Sequence, residues 1–374
     1  MFGSVAGAQT YLRADQMREG LRFGSEMTLS SDELLASYPK DGNVVKVQTS
    51  YSQEKIRELD VSLRLKYAKA AKPPIFENLN FHSKWPRNAI SLEYPDGFKM
   101  TVFTDPGVLE MNSSPASQAV IEASLSRIQN DYFDEGSKLG LTPQNFTGSG
   151  HIHIEATQLH PQTLRNFLAD FFNATGLAAG ALNEDVYNSL GPGEMPVQNK
   201  RLLREAFAKF DANPAATSRD LVDAVASTYD IPFSQDVADY RKNRKGKRST
   251  KYFAVSLRSF DSLGTIEIRS IRPQGSADSY LKLVTMFTKR MELAEQRRTR
   301  GERTPIGEMP SVRGHSQKVL ADFDRYLSEV GLKLEDYREF VMPWWQQAEA
   351  DVDRYLTKAR TPITHRSCEG LFRN

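Results

Sequence analysis

The stretch "ISLEYPDGFKMTVFTDPGVLEMNSSP", Ile90 to Pro115, limits the fold more than any other part of the chain. Two turn signals, Asp96-Gly97 and Asp105-Pro106-Gly107, divide it into short runs of alternating apolar and polar residues. So few residues separate the runs that neighbouring strands have to pair antiparallel. A chain with this meander carries a sheet that is at least partly antiparallel, which argues against a doubly wound parallel nucleotide-binding fold.

Similar alternation recurs over residues 20–30, 147–157 and 250–272, with 88–112 covering the meander. Between these runs the apolar residues fall at helical spacing. Ser114 and Pro115 have the form of an N-cap and first-turn proline, followed by a stripe of Ile121, Leu125, Ile128 and Tyr132. Leu164, Phe167, Leu168 and Phe171 mark a second stripe, and Tyr280, Val284, Phe287 and Met291 a third. From about residue 315 the pattern is helical only, through Val319, Phe323, Tyr326 and Val330, up to a break expected at Pro343. The expected class is therefore α+β, with a C-terminal helical region.

Charge and cysteine content narrow the partners. The 374 residues hold 49 basic and 47 acidic side chains, a balance that draws the whole chain to neither nucleic acid nor membrane. The single cysteine, Cys368, cannot form an internal disulfide, as expected of a reducing compartment. The start "MFGSVAGAQTYLRADQ" meets charge too soon for a secretion signal, and no window approaches the roughly 20 apolar residues of a membrane helix, so the expectation is a cytoplasmic protein.

The polar residues on the alternating runs form a pattern of their own. Arg22, Gly24, Glu26 and Thr28 share one face of "LRFGSEMTL", and Glu110 and Asn112 share a face of "VLEMNS". In "TGSGHIHIE", His151, His153 and Glu155 alternate with Ile152 and Ile154. In "GTIEIRSIRP", Thr265, Glu267 and Arg269 alternate with Ile266 and Ile268. Any one of these is ordinary on the wet side of a half-buried sheet. If all four strands line one surface, Glu26, Glu110, His151 and Glu267 make an oxygen-rich site with one nitrogen, suited to Mg2+ or Mn2+. The Gly148-Ser149-Gly150 turn and the arginines suit a phosphorylated anion beside that metal.

These islands resemble a known family. "GSGHIHI" is similar to the glycine-rich strand entry of glutamine synthetases, and "IEIRSIRPQGSADSYLKL" to their Glu-x-Arg strand with the loop, tyrosine and helix that follow. "TDPGVLEMNSSP" resembles a motif of bacterial amidoligases in the same carboxylate-amine ligase superfamily. The matches are short and in the right order, from residue 22 to about 285.

The resemblance implies a curved, largely antiparallel catalytic sheet of glutamine-synthetase-like type over residues 1–310, backed by helices, with a helical region over 311–374. It also implies an ATP- and Mg2+-dependent (or Mn2+-dependent) carboxylate-amine ligase that forms an amide through an acyl phosphate, with small-molecule or peptide acid and amine substrates. By the same resemblance Glu26 and Glu110 hold magnesium, and Glu267 with His151 holds the ion near the transferring phosphate. His153 and the Gly148-Ser149-Gly150 turn approach ATP. Arg269 stabilises the phosphoryl group, helped by Arg258 and Arg272. The family's first strand usually carries Glu-x-Glu; here Thr28 stands at the second position, so one ligand is missing or comes from elsewhere, and Glu155 reads first as a surface acid and only then as its replacement. A phosphotransferase of the same fold and a non-catalytic nucleotide- or nucleic-acid-binding relative are the alternatives. The basic run Arg241 to Arg248, with six basic residues in eight, reads first as a solvated hairpin loop. It reads next as a lid over ATP phosphates, with Arg248 the candidate contact, and only then as a nucleic-acid surface.

Overall fold

The computed structural model describes residues 10–37, 49–81, 87–105, 107–143, 150–175, 177, 191–228, 253–271, 273–311 and 316–340. Among the described residues, nine strands form one open sheet: β1 (Arg22–Leu29), β2 (Ile75–Phe81), β3 (Arg87–Glu93), β4 (Lys99–Asp105), β5 (Val108–Ser113), β6 (Ala116–Ser117), β7 (His151–Glu155), β8 (Val255–Ser256) and β9 (Thr265–Ile268). Their order is β2-β3-β4-β5-β1-β7-β9-β8, with β6 also on β1, and every pairing is antiparallel. The meander of β3, β4 and β5 is the one its turn residues foretell. Gly97 and Gly107 take φ of +85° and +81° at its two turns, a backbone state costly for any residue with a Cβ.

One face of the sheet is apolar because alternate residues are. Phe23, Met27, Met111, Ile152, Ile154, Ile266 and Ile268 are all buried in one core with the helices behind them. Those helices are α1 (Ser50–Tyr67), α2 (Gln118–Ile128), α3 (Pro161–Asn173), α4 (Val197–Asp211), α5 (Ser218–Thr228), α6 (Ala277–Thr299) and α7 (Ser316–Ser328). Helix α1 packs on β3 and β4, and α6 packs on α2 and α3. Tyr280, Val284, Phe287 and Met291 of α6 and Leu164, Phe167, Leu168 and Phe171 of α3 are buried as their spacing requires. The Tyr132 hydroxyl donates to the carbonyls of Met27 at 2.7 Å and Leu109 at 3.1 Å, which fixes the helical layer against β1 and β5.

Helix α7 joins the same core through Phe323, Tyr326 and Leu327. The fully buried Arg290 of α6 ties it down: its guanidinium lies 2.9 Å from Glu329 and 3.3 Å from Asp170. A buried cation needs such partners, since unpaired it would cost several kcal/mol. No helix among the described residues is long and apolar enough to cross a membrane.

Three sequence expectations are corrected. Helix α2 starts later than expected: its N-cap is Ser117, which accepts from Val120 N, and not Ser114. Ser114 instead accepts from Lys99 N at 3.1 Å, and Pro115 interrupts the edge between β5 and β6, where a residue without an N–H is tolerated. The alternating runs expected over 250–272 shrink to two short strands, β8 and β9. Phe253 to Leu257 are all buried, only Val255–Ser256 pairs with β9, and a helical turn, Phe260–Leu263, follows. Helix α7 ends at Ser328, so Val330 lies beyond it. Pro343 falls outside the described residues.

Candidate active site

The face of the sheet away from the helices carries the polar residues, and the register shows how they meet. Glu26 of β1 stands between Asn112 of β5 and His151 of β7. One step along, Gly24 stands opposite His153, which stands opposite Glu267 of β9, which stands opposite Ser256 of β8. Extending the β7–β9 register places Arg269 level with His151. Thr28 faces Glu110 on the other side, and Glu155 faces Thr265. Four strands distant in sequence thus bring one functional row together.

Gly24 matters here for what it lacks. A Cβ at that position would sit 3.6 Å from the Cβ of His153, and no side chain stands between His153 and its diagonal neighbour Glu26. Diagonal partners on adjacent strands are within reach of long side chains when the space is clear. His153 Nε2 accordingly lies 3.1 Å from Glu26 Oε1, while His151 Nδ1 lies 2.6 Å from Glu26 Oε2. His151 Nδ1 is also 3.5 Å from Glu267 Oε1, and Arg269 Nη1 donates to that same Glu267 oxygen.

Burial and charge act in opposite senses on these groups. Burial pushes the Glu26 carboxyl up, but hydrogen bonds from His151 and His153 and their charge outweigh it and hold it well below the usual carboxylate range. Burial pushes the His153 imidazole down, and the bond to Glu26 with the charge of Glu267 overcomes that, so it stands above its ordinary value. Glu267 and Arg269 are themselves nearly inaccessible, 5% and 7% exposed, as an ion pair held inside the site.

A cavity of about 620 Å³ opens on this face, within the range of small-molecule sites. Of the metal candidates, Glu26, Glu110, His151 and Glu267 all line it; so do His153, Arg258 and Arg269. One oxygen each of Glu26 and Glu267 and one nitrogen of His153 lie within 4.8 Å of one another. Two carboxylates and an imidazole are a fitting donor set for Mg2+ or Mn2+, so the residues present suit the metal that the sequence resemblance implies. Glu110 is on the neighbouring strand, one register row away and outside that triple. Thr28 is buried, and its hydroxyl finds no partner among the described residues.

Gly150 does not line the cavity. It packs so closely under Gln274 that a Cβ would come within 2.0 Å of the amide Nε2. Gly148, Ser149, Arg248 and Arg272, with the whole basic run 241–248, lie outside the described residues.

Sequence reasoning passed over three residues of the site. Asp105 was legible only as a turn former, yet it closes β4 and lines the cavity. Arg22 lines it too, with its Nε 3.9 Å from Glu155. Thr265 places its hydroxyl 3.1 Å from His153 Nδ1. Alternation puts all three on the polar face, but nothing local distinguishes a lining residue from a merely wet one.

No protein-family model and no curated protein matches the chain. Among solved structures it is similar to GmaS (gamma-glutamylmethylamide synthetase) without ligand, at 11% identity and a TM-score of 0.41, over 90% of this chain and 71% of that one. It is also similar to a GmaS complex with ADP, at 13% identity and a TM-score of 0.44, over 90% of this chain and 72% of that one.

Proposed function

We propose that the chain is an ATP- and Mg2+-dependent (or Mn2+-dependent) ligase that joins a carboxylate to an amine. The observation that carries this reading is the meeting of Glu26, His153 and Glu267, with Arg269 beside them, in a ligand-sized cavity on the polar face of an antiparallel sheet. The motifs that resemble glutamine synthetases supply His153, Glu267 and Arg269, and Glu26 stands on the first strand where that resemblance expects a metal ligand. The resemblance gives the cation to His151 and Glu110 as well and His153 to ATP, whereas the triple that meets here has His153 in place of His151 and leaves Glu110 out. A bound divalent cation would supply neutralisation of the phosphate charge.

In this reading Glu26, His153 and Glu267 hold the cation, and His151 holds Glu26 in place through its 2.6 Å bond. Arg269 turns its fixed guanidinium toward the phosphoryl group. A group already buried and oriented by Glu267 needs no reorganisation as charge develops, which is where electrostatic stabilisation is worth most. Arg258, exposed and at the rim of the cavity, is placed to meet an anionic substrate on entry.

The chemistry balances in two steps. A carboxylate oxygen of the acid substrate attacks the terminal phosphorus of ATP, the bond to ADP breaks, and an acyl phosphate forms. The amine nitrogen then attacks the acyl carbon, phosphate leaves with the bonding pair, and the nitrogen gives up a proton.

The test is ADP release from Mg-ATP with a panel of amino acids, small dicarboxylates and short peptides as acids, offered with ammonia and alkylamines. Amine-dependent ADP release with an amide product supports the ligase. ADP release that accumulates a phosphorylated acid and ignores the amine would replace it with a phosphotransferase. No ADP from any pair removes the enzymatic reading.

A further inference from the structure

His151 and His153 approach the same carboxylate with different nitrogens. His151 uses Nδ1 toward Glu26, whereas His153 uses Nε2, and its Nδ1 is turned to the Thr265 hydroxyl at 3.1 Å. Thr265 is held there by backbone as well as by pairing. It opens β9 directly after Gly264, whose φ of +69° ends the preceding helical turn in the left-handed conformation. The carbonyl of Gly264 accepts from Ala156 N at 2.9 Å, and Thr265 itself stands opposite Glu155. The hydroxyl is thus fixed beside one particular ring nitrogen.

The chemistry of the two partners gives this arrangement a consequence. A carboxylate only accepts, so with Glu26 as its partner His153 Nε2 must carry a proton. If Nε2 is instead to give its lone pair to a cation, the ring proton has to reside on Nδ1. A valine or a carbonyl at the Thr265 position would serve at most one of these tautomers. A hydroxyl serves both, since it donates to a bare Nδ1 and, after rotating, accepts from Nδ1–H.

We propose that Thr265 is a positioning residue that sets which nitrogen of His153 faces the Glu26 and Glu267 carboxylates, and that lets the ring exchange its Glu26 bond for a cation without leaving Nδ1 unpaired. The inference rests on the cation-holding role of Glu26, His153 and Glu267 in the proposed function. It adds Thr265 to that site through its effect on His153, with no contact of its own to the reacting atoms.

The experiment uses the full chain without nucleotide, so that it does not depend on turnover. Long-range proton–nitrogen correlation spectra of histidine-labelled protein report ring tautomers, with His153→Gln identifying the signal. Mg2+ is then titrated in, and Mg2+ and Mn2+ affinities are measured for wild type, Thr265→Ser and Thr265→Val. The expected result is a proton on Nε2 without cation and on Nδ1 with it. Affinity should stay within about threefold in Thr265→Ser and fall by about tenfold or more in Thr265→Val, as for loss of a residue that orients a ligand.

Equal affinities in wild type and Thr265→Val overturn the inference, as does a loss in Thr265→Ser as large as that in Thr265→Val, because the serine keeps the hydroxyl to which the effect is assigned. Should Thr265→Val fail to fold, the wild-type spectra still decide, because a proton that remains on Nε2 at saturating Mg2+ overturns it. Cation binding that depends on Thr265 in a chain that releases no ADP leaves the inference standing and removes the ligase. Failure of wild type to bind either cation removes both.

Discussion

Glu26→Gln tests the centre of the site with one atom changed. Glu26 is the carboxylate that both histidines hold, while Glu267, the other acid of the triple, already shares an oxygen with Arg269. Replacing Glu26 therefore removes the anion that Arg269 does not neutralise. At ~4 Å and an effective dielectric of ~20, a dication and a carboxylate attract by about 8 kcal/mol. Desolvation of both takes back the larger part, and a net loss of about 3 kcal/mol corresponds to about a hundredfold in affinity. The variant should therefore bind Mg2+, Mn2+ and Mg-ATP about a hundredfold more weakly, as read by calorimetry and by the electron paramagnetic resonance signal of free Mn2+. It should remain folded, losing about 1 to 2 kcal/mol from weaker bonds to the two histidines. An Mn2+ affinity within about twofold of wild type, in a variant that melts normally, would refute the placing of the cation between Glu26, His153 and Glu267.

Other consequences can be measured alongside. Arg269→Lys keeps the charge but not the planar fork, so ATP affinity should hold within a few-fold while ADP release falls by about a hundredfold; full activity would remove Arg269 from the chemistry. The cation-free protein should show a stability window. The raised His153 contributes fully below its unfolded value of 6.5 and is lost as pH rises through its folded value. The depressed Glu26 contributes fully above 4.5 and is lost as pH falls through its folded value. Melting temperature should therefore gain most from the pair between those two values, and Glu26→Gln should flatten both flanks; an unchanged pH profile in the variant would count against the pair. Gly150→Ala pushes into the buried Gln274 amide and should cost about 1 to 3 kcal/mol. Combined with Gln274→Ala, it should cost less than the two single variants together in denaturant melts, and strict additivity would mean that the two side chains do not meet.

Legibility in the sequence followed the sharpness of the two-residue period. On β1, β5, β7 and β9 one face is apolar and the other is not, so the positions of Glu26, Glu110, His151, His153, Glu267 and Arg269 on a single face could be read before any strand was paired. The meander was legible from its turns. Strand β2 was not, because Phe76 falls out of phase with Ile75, Leu79 and Phe81, Glu77 interrupts their row, and Ile75 is left exposed. Ser114-Pro115 misled because the same dipeptide fits a helix start and an interrupted strand edge; the choice fell to the Lys99 backbone, which is remote in sequence. Within the site, alternation supplied faces but not neighbours. Which histidine nitrogen meets Glu26, and that Thr265 and Asp105 belong to the same cavity, depends on register between strands more than a hundred residues apart in sequence for β1 and β7.

The place of β1 has a consequence for how the protein comes into being. The strand is made first, yet both of its edges are filled by strands made later, β5 on one side and β7 on the other. During synthesis the meander can close on itself from local contacts while β1 waits for the ribosome to deliver His151 and then Glu267. The expected order of assembly places the seam at Glu26 among the last parts to form, so a nascent or truncated chain could hold much of its sheet and still lack any grip on a cation. Cation affinity would then report completion of the fold. Chains truncated after residue 250 should show the meander's hydrogen-exchange protection without it.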